Sequence, residues 1–384
     1  MSSLALRQPT GLKILSNGFL ALWCLIAAFP IVWITIMSLK TPIDAFSSNP
    51  LKVIAGPHTR ENVAGLSFLD IALGLLAAGA LIYVAVRWLP GRVKALAPGG
   101  SMFFGWLIGG LIYGIVTVVV LGVVLPAVLG ILNPALGPLG TNVIGLTTEH
   151  YEAVWVDRGF SRNFTNSMIV TLGVVTVSLT VGTLAGYGLA RSDSLIAFSL
   201  LVIALVFRAL PHSVLVTGYL PYFITSSEWL APIFGDAAPT LYGKPWAVIA
   251  VLVAINQPFT IWMLRSFFQS IPSELDEAAR VDGCSHFQAF RRVIIPVMWP
   301  GVITTGLFSF LLAYNDFAVT SMLLAKENQT MVPKIASFLG TTQTEGNVMF
   351  AVAAVVSATA PLFILVMFFQ RQIVSGLTAG AVKG

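Results

Sequence analysis

Charged residues are scarce in this sequence. Asp, Glu, Lys and Arg make up 10% of its 384 residues, whereas ordinary soluble domains contain about 25%. Hydrophobic residues make up 57%, and the mean hydropathy is +0.88. This composition excludes an ordinary soluble domain and predicts a polytopic membrane protein.

Cysteine and histidine are also rare. The two cysteines, Cys24 and Cys284, lie far apart without CxxC spacing, which argues against a disulfide framework or a zinc knuckle. The sequence lacks the GxxxxGKS/T, HExxH and GxSxG patterns, so we expect no phosphate loop for ATP, no enzymatic activity and no cofactor in this chain. The four histidines are too scattered to suggest a metal site. They are His58, His150, His212 and His286.

Eight apolar runs are long enough to cross a bilayer, which takes about 20 residues of helix. Their even number predicts that both chain termini lie on the same side of the membrane. The sequence therefore predicts an all-α protein of eight spans. The runs cover residues 14–39, 67–89, 102–132, 164–190, 195–224, 244–264, 297–324 and 348–369.

The basic residues lie mostly in short segments between these runs, which is a topology signal and does not indicate nucleic-acid binding. With a cytoplasmic N-terminus, twelve of the 21 Lys and Arg residues lie on the cytoplasmic side and eight on the other, and Arg208 remains within a run. This excess predicts cytoplasmic termini. It also places the polar stretch 271–301 in the cytoplasm.

The stretch 271–301 contains two helix signals separated by a glycine. Ser273 is predicted to be the N-cap of a short helix, with Asp276 at the capping-box position. Gly283 can adopt a positive φ and is predicted to end that helix. A second capping box, Ser285 with Gln288, starts another helix, which Ile295-Pro296 is predicted to end.

The same stretch resembles the cytoplasmic EAA loop of ABC-importer permeases, written EAA-x3-G-x9-I-x-L-P. Glu277-Ala278-Ala279, Gly283 and Pro296 have the spacing of that motif, with Val293 for Ile and Ile295 for Leu. Three further segments resemble the maltose-type, carbohydrate-uptake branch of these permeases. They are residues 258–265, 313–317 and 376–384.

This resemblance implies a permease core of six spans with an inserted two-span hairpin. Residues 1–50 would be the N-terminal tail and first span, and residues 51–146 the insertion. Residues 147–384 would hold five further core spans, the coupling loop 265–296 and the C-terminal tail 370–384. Some α-glucoside permeases have a long insertion at this place, which favours that substrate class.

The function implied by the resemblance is that of the permease subunit of an ATP-driven importer for a sugar or oligosaccharide. The implied partners are a second homologous permease, a dimer of ATP-binding subunits that holds ATP and Mg, a periplasmic or lipid-anchored solute-binding protein, and membrane lipid in the bacterial inner membrane. A permease for another solute is the alternative. An ion-coupled secondary transporter is disfavoured, because no paired intramembrane carboxylates are visible.

The resemblance also implies which residues meet the ATPase. Small residues and a carboxylate on a short helix suit docking into a groove, and an ordinary connecting loop is the alternative. The tail 376–384 is a second docking segment by resemblance, or else a frayed end. The predicted coupling residues are Glu274, Glu277, Ala278, Ala279, Asp282, Gly283, Arg291 and Pro296.

Polar residues within the predicted spans are candidates for the substrate pathway, because such residues usually face the bundle interior or water. Hydrogen bonds between helices would explain Asn and Gln equally well. Arg208 either extends toward the outer membrane face or lines the pathway beside Pro211. The candidates are Arg208, Asn256, Gln257, Tyr314, Asn315 and Asp316.

Overall fold

The fold is that of a computed structural model, which describes residues 10–88, 102–340 and 344–381. These residues are mainly helical, and the all-α prediction is confirmed. The chain divides into two compact units, one up to Tyr151 and one from Glu152 onward.

The first unit combines a long N-terminal helix, a group of short helices and a helical hairpin. Its two strands pair antiparallel, with Gly65 opposite Gly145 and Leu66 opposite Ile144. The strands therefore join the two ends of the segment that carries the hairpin. The elements are α1 (Thr10–Ser38), α2 (Pro42–Ala45), α3 (Pro50–Ala55), α4 (Pro57–Asn62), β1 (Gly65–Ser67), α5 (Phe68–Tyr83), α6 (Met102–Val119), α7 (Leu125–Ala135), β2 (Asn142–Gly145) and, at the unit boundary, α8 (Glu149–Glu152).

Three polar side chains fasten the base of the hairpin. Ser67 and Asp70 form a capping box at the start of α5. Asn133 of α7 donates to Asp70 Oδ1 and accepts from Ser67 Oγ, each over 3.0 Å. The two hairpin helices are thus tied together where they meet the β-ribbon.

Lys40 is the largest fully buried side chain of the first unit. Its ammonium donates to the carbonyl oxygens of Ile54, over 2.8 Å, and of Gly145. Burial lowers the pKa of Lys40, and the nearby charge of Asp44 opposes this shift. Because a buried charge needs such partners, Lys40 links the short helices to β2.

The second unit is a bundle of long helices with short connecting ones. The helix α9 is central and packs along α13 and α16. The elements are α9 (Phe160–Ala190), α10 (Leu195–Phe207), α11 (His212–Ile224), α12 (Ser226–Phe234), α13 (Pro245–Gln269), α14 (Glu274–Val281), α15 (His286–Ala289), α16 (Ile295–Tyr314), α17 (Ala318–Leu323), α18 (Met331–Gly340) and α19 (Glu345–Ala381).

Two glycines bring α9 and α13 close together. A Cβ atom at Gly182 would lie 2.5 Å from Thr260 Cγ2, and one at Gly186 would lie 3.1 Å from the backbone nitrogen of Arg265. Such small-residue contacts let helix backbones approach without the space that side chains require. The two helices are therefore closely packed at both glycine positions.

Seven helices among the described residues are long and apolar enough to span a membrane, and a bent pair could supply an eighth. The prediction of eight spans holds when the bent pair counts as one. The seven are Gly11–Ser38, Phe68–Arg87, Ile112–Ala135, Phe160–Ala190, Pro245–Gln269, His286–Tyr314 and Glu345–Gln370.

The bent pair replaces the single helix predicted over 195–224. The helices α10 and α11 differ in direction by 95°. Pro211 explains the position of the break, because its ring clashes with the carbonyl four residues earlier, at Phe207, where α10 ends. The chain therefore changes direction sharply within the predicted span 195–224.

The prediction that Ile295-Pro296 ends the second loop helix is wrong. The chain stays helical from His286 to Tyr314, with a π-helical turn at Phe290–Ile294 that ends two residues before Pro296. This wider turn accommodates the missing proline N–H, which would otherwise break the helix. The predicted span 297–324 accordingly starts earlier, and its helix ends at Tyr314.

Candidate functional site

The turn between α14 and α15 has the predicted local geometry. Gly283 has φ +88° and follows the end of α14. The Ser285–Gln288 capping box is confirmed: Ser285 N–H donates to Gln288 Oε1 over 2.9 Å, and Gln288 N–H donates to Ser285 Oγ over 3.3 Å. The stretch therefore forms helix, glycine turn and helix, as predicted.

Ser273 lies at the predicted N-cap position of α14, but the predicted capping box is absent. Ser273 already has helical angles, φ −64° and ψ −24°, and its side chain makes no capping hydrogen bond. The carboxylate of Asp276 does not complete a capping box, because it is engaged by residues of α9. Tertiary partners have replaced the local ones.

Asp276 is held by two side chains at the end of α9. Tyr187 donates its hydroxyl to Asp276 Oδ1 over 2.7 Å, and Arg191 Nε donates to Oδ2 over 2.8 Å. A second guanidinium nitrogen of Arg191 lies 2.8 Å from the same oxygen. Arg191 also donates to the carbonyl of Ile271, over 3.2 Å. Sequence reasoning missed this cluster, although the i, i+4 pair of Tyr187 and Arg191 at the end of a span was a usable signal.

An apolar cluster supports the inner side of the loop. The Tyr187 ring lies 4.8 Å from the Phe290 ring and 5.5 Å from the Phe268 ring, measured between centroids. Ala279 faces inward as well, with 6% exposure. The buried members of the cluster are Leu264, Phe268, Ile271, Phe290, Ile294 and Met298.

The burial of Ala279 changes the predicted docking surface. Ala279 packs against its own chain, so it does not belong to the exposed face that a partner could contact. The other seven predicted coupling residues are exposed. Among the described residues, the carboxylates of Glu274 and Glu277 have no hydrogen bond or ion pair. They remain available to a partner.

Two exposed apolar residues of the loop were missed from the sequence. Val281 is 88% exposed and Phe287 is 63% exposed, one on each side of the glycine turn. Beside Val281 lies a hollow of about 570 Å³, lined also by Glu277, Arg280 and His286. Exposed apolar side chains rimmed by charged ones are typical of protein contact surfaces.

Two of the pathway candidates, Asn256 and Gln257, make contacts within the bundle. The amide of Asn256 is buried and donates to Thr260 Oγ1 over 3.0 Å and to Ser309 Oγ over 2.8 Å. The amide of Gln257 donates to the carbonyl of Ser178 over 3.4 Å. These contacts join α13 to α16 and α9, which favours the helix-packing interpretation for both residues.

Three further candidates, Tyr314, Asn315 and Asp316, lie at or just after the end of α16. The Tyr314 hydroxyl is buried and donates to the carbonyl of Ala358, over 2.7 Å. Asn315 is exposed and donates to the carbonyl of Leu311, over 3.0 Å. Asp316 accepts the backbone N–H of Thr320 over 2.9 Å and so caps α17. A role of these three residues in the pathway stays a prediction.

Arg208 lies at the break between α10 and α11. It lines a cavity of about 690 Å³ together with Tyr219, Trp246 and mostly apolar side chains. Its guanidinium stacks 4.7 Å from the ring centroid of Phe259. Its buried Nε has no hydrogen-bond partner among the described residues. This position favours the interpretation that Arg208 lines a pathway.

The long apolar helices, with a structured helical loop between two of them, define a polytopic membrane protein. The chain belongs to the family of binding-protein-dependent transport system inner membrane components, which matches residues 178–378. The match includes the whole stretch 271–301. The resemblance stated from the sequence is thus confirmed, and the chain is a multi-pass inner-membrane protein.

Known relatives are named as transport permeases. The chain is 32% identical over 241 residues to the trehalose transport system permease protein SugB of Mycobacterium tuberculosis, covering 62% of this chain and 83% of SugB. It is 33% identical over 240 residues to the diacetylchitobiose uptake system permease protein DasC of Streptomyces coelicolor, covering 62% and 82%. These names fit the prediction that the chain is not itself an enzyme.

A solved structure of a bacterial ABC transporter involved in the import of the acidic polysaccharide alginate also resembles the chain. The sequence identity is 20% and the TM-score is 0.46, and the match covers 68% of this chain and 96% of that one.

Proposed function

We propose that this chain is the membrane permease subunit of an ATP-driven importer for a sugar or oligosaccharide. The family match supports the importer class. Relatives named for maltodextrin, trehalose and diacetylchitobiose support the substrate class. In this function the spans alternate between inward-open and outward-open states.

The observation that carries this proposal is the surface of the loop. The glycine turn joins α14 to α15, and Val281 and Phe287 are exposed on either side of it, with the exposed carboxylates of Glu274 and Glu277 on α14. A helix of this kind can seat apolar side chains in a groove while its carboxylates accept charge-assisted hydrogen bonds. The groove would belong to an ATP-binding subunit, which would hold ATP and Mg.

The remaining partners follow from the same proposal. A second homologous permease would complete the pathway, a dimer of ATP-binding subunits would drive it, and a periplasmic or lipid-anchored solute-binding protein would deliver the sugar. Both termini would be cytoplasmic. The helix α19 continues to Ala381 beyond its apolar part, and its end would be a second contact with the ATPase.

Reconstitution into liposomes tests the proposal. The chain assembled with its permease, ATPase and binding-protein partners should take up a radiolabelled sugar from a panel of maltodextrins, trehalose and other α-glucosides only when ATP is present. The chain alone should move none of them on a proton or sodium gradient. Transport by the chain alone on such a gradient would show a secondary transporter and refute the proposal. ATP-driven uptake of other solutes, with no sugar carried, would refute the sugar assignment alone.

A further inference from the structure

The cluster around Asp276 joins the coupling loop to a second span. We propose that Tyr187, Arg191 and Asp276 form a link that makes α14 and α9 move as one body, so that the loop drives α9 as well as α16. The proposal rests on the proposed coupling function. The three are positioning residues, because none of them belongs to the exposed face of the loop.

The geometry of the link resists both sliding and rotation of α14. The two carboxylate oxygens of Asp276 are fixed from different side chains, Oδ1 by Tyr187 and Oδ2 by Arg191. The side chains of Arg191 and Asp276 are only 23% and 15% exposed, so water competes with the pair less than at an open surface. Fixing both oxygens leaves the carboxylate little rotational freedom.

Arg191 also holds the chain that leads into α14. The same guanidinium donates to the carbonyls of Ile271, over 3.2 Å, and Phe268, over 3.4 Å. It therefore fastens the end of α13, the connection and the first turn of α14 to one point on α9. A charge placed in the first turn only to favour the helix dipole would not need these additional bonds.

The acidic residues of α14 thus divide into two sets. Asp276 faces α9, whereas Glu274 and Glu277 are exposed. Glu274 and Glu277 are three residues apart and so share one face of the helix, whereas Asp276 points in a different direction. One face of α14 is therefore available to the ATPase while the other is fastened to the bundle.

Movement that reaches α9 has a packed route into the bundle. Gly182 and Gly186 place α9 directly against α13, and Asn256 of α13 is hydrogen-bonded to Ser309 of α16. A second connection runs along the chain, from the end of α14 through Gly283 and α15 into α16. Two attachments, one at each end of a helix of eight residues, convert a push on α14 into movement of α9, α13 and α16 together.

The first test compares Asp276→Asn with Asp193→Asn in the complete reconstituted transporter. Asp193 is exposed and lies two residues from Arg191, so it is a matched control for the loss of a carboxylate. Asp276→Asn should raise the ATP hydrolysed per sugar transported by roughly tenfold or more, because a hydrogen bond to a charged group is stronger than an ordinary one. The ATPase should still copurify, and Asp193→Asn should leave the ratio unchanged. An unchanged ratio in Asp276→Asn would overturn the proposal.

A covalent link tests the same idea without relying on loss of function. In a background with Cys24→Ser and Cys284→Ser, the double variant Arg191→Cys, Asp276→Cys should be poorly coupled, and a short bis-maleimide should restore coupling. If the cluster only aided folding, the cross-link would not restore coupling. Loss of ATP-driven uptake on cross-linking would show that the two helices must separate during the cycle, which contradicts the proposal.

A distance measurement separates this proposal from the proposed function. Spin labels at Leu184 and Val281, both exposed, should give a narrow distance distribution in the wild-type chain and a broad one in Asp276→Asn. This readout requires no transport. A broad wild-type distribution would refute the link even in a working importer, whereas a narrow one in a chain without ATP-driven uptake would refute only the importer function.

Discussion

Substitution of Gly283 is a direct test of the coupling loop, because the backbone conformation disfavours a side chain whereas the space around the residue would admit one. Its φ of +88° disfavours any residue with a side chain, yet a Cβ atom at this position would meet nothing within 4 Å. Substitution therefore costs backbone strain without a steric clash, about 1–2 kcal/mol. Such a cost lowers the population of the native turn by roughly 5- to 30-fold.

The assay is ATP-dependent uptake at matched membrane levels of the permease. Gly283→Val should lose most uptake, because a β-branched residue is the least tolerant of positive φ. Gly283→Asn should retain more, because Asn tolerates this region better. Gly188→Ala is the control, since Gly188 also has open space around it but lies within α9. It should support normal uptake.

Two results would contradict this reasoning. Normal uptake by Gly283→Val would show that the turn need not hold this φ during coupling. Equal loss in Gly283→Asn and Gly283→Val would show that the defect arises from side-chain bulk at a partner surface and not from backbone strain.

Three further predictions address other parts of the chain. Asn256→Ala should lower the free energy of unfolding by about 1–3 kcal/mol, because a buried amide loses one hydrogen bond to Thr260 within α13 and one to Ser309 of α16. Thermal unfolding in detergent measures this change, and an equal loss in the exposed control Asn315→Ala would contradict the prediction. Burial raises the pKa of Asp44, but hydrogen bonds from Thr59 and the His58 backbone outweigh it, so the pKa lies below 3.8. The stabilisation is thus present above the unfolded pKa and lost as pH falls through the folded pKa. Thermal unfolding in detergent should show the wild type more stable than Asp44→Asn at neutral pH, with a difference that shrinks on acidification, and a difference independent of pH would disprove the assignment. Deletion of residues 376–384 should weaken copurification of the ATPase or raise the ATP used per sugar, and unchanged values would leave the tail without a docking role.

In the coupling stretch, the predictions from sequence were correct where all the interacting atoms belong to residues close together in the chain. The Ser285–Gln288 capping box and the positive φ of Gly283 depend on neighbouring backbone atoms, and both are present. The N-cap position of Ser273 was predicted correctly, but its capping box is absent, because the carboxylate of Asp276 is bound by the guanidinium of Arg191, 85 residues away. A charge-assisted hydrogen bond outweighs an ordinary cap.

Which face of a helix is buried was beyond local reasoning. Ala278 and Ala279 are identical side chains in the same motif, yet Ala278 is exposed and Ala279 is buried. The exposed positions of Val281 and Phe287 likewise depend on how α14 rests on the bundle. Pro211 marked the place of the break between α10 and α11, but the 95° change of direction is a property of the packed helices.

Composition and motif spacing by themselves determined the membrane class, the helical spans and the family of this protein. Transfer of about 20 apolar residues into lipid is favourable whatever the rest of the chain does, and a motif such as Glu277–Ala279 with Gly283 is visible without coordinates. Only the tertiary structure decided that Asp276 joins α14 to α9, that Asn256 is hydrogen-bonded to Ser309 and that Arg208 lines a cavity. These outcomes depend on partners far away in the chain, and packing selects among such partners by fit and desolvation, which sequence spacing does not encode.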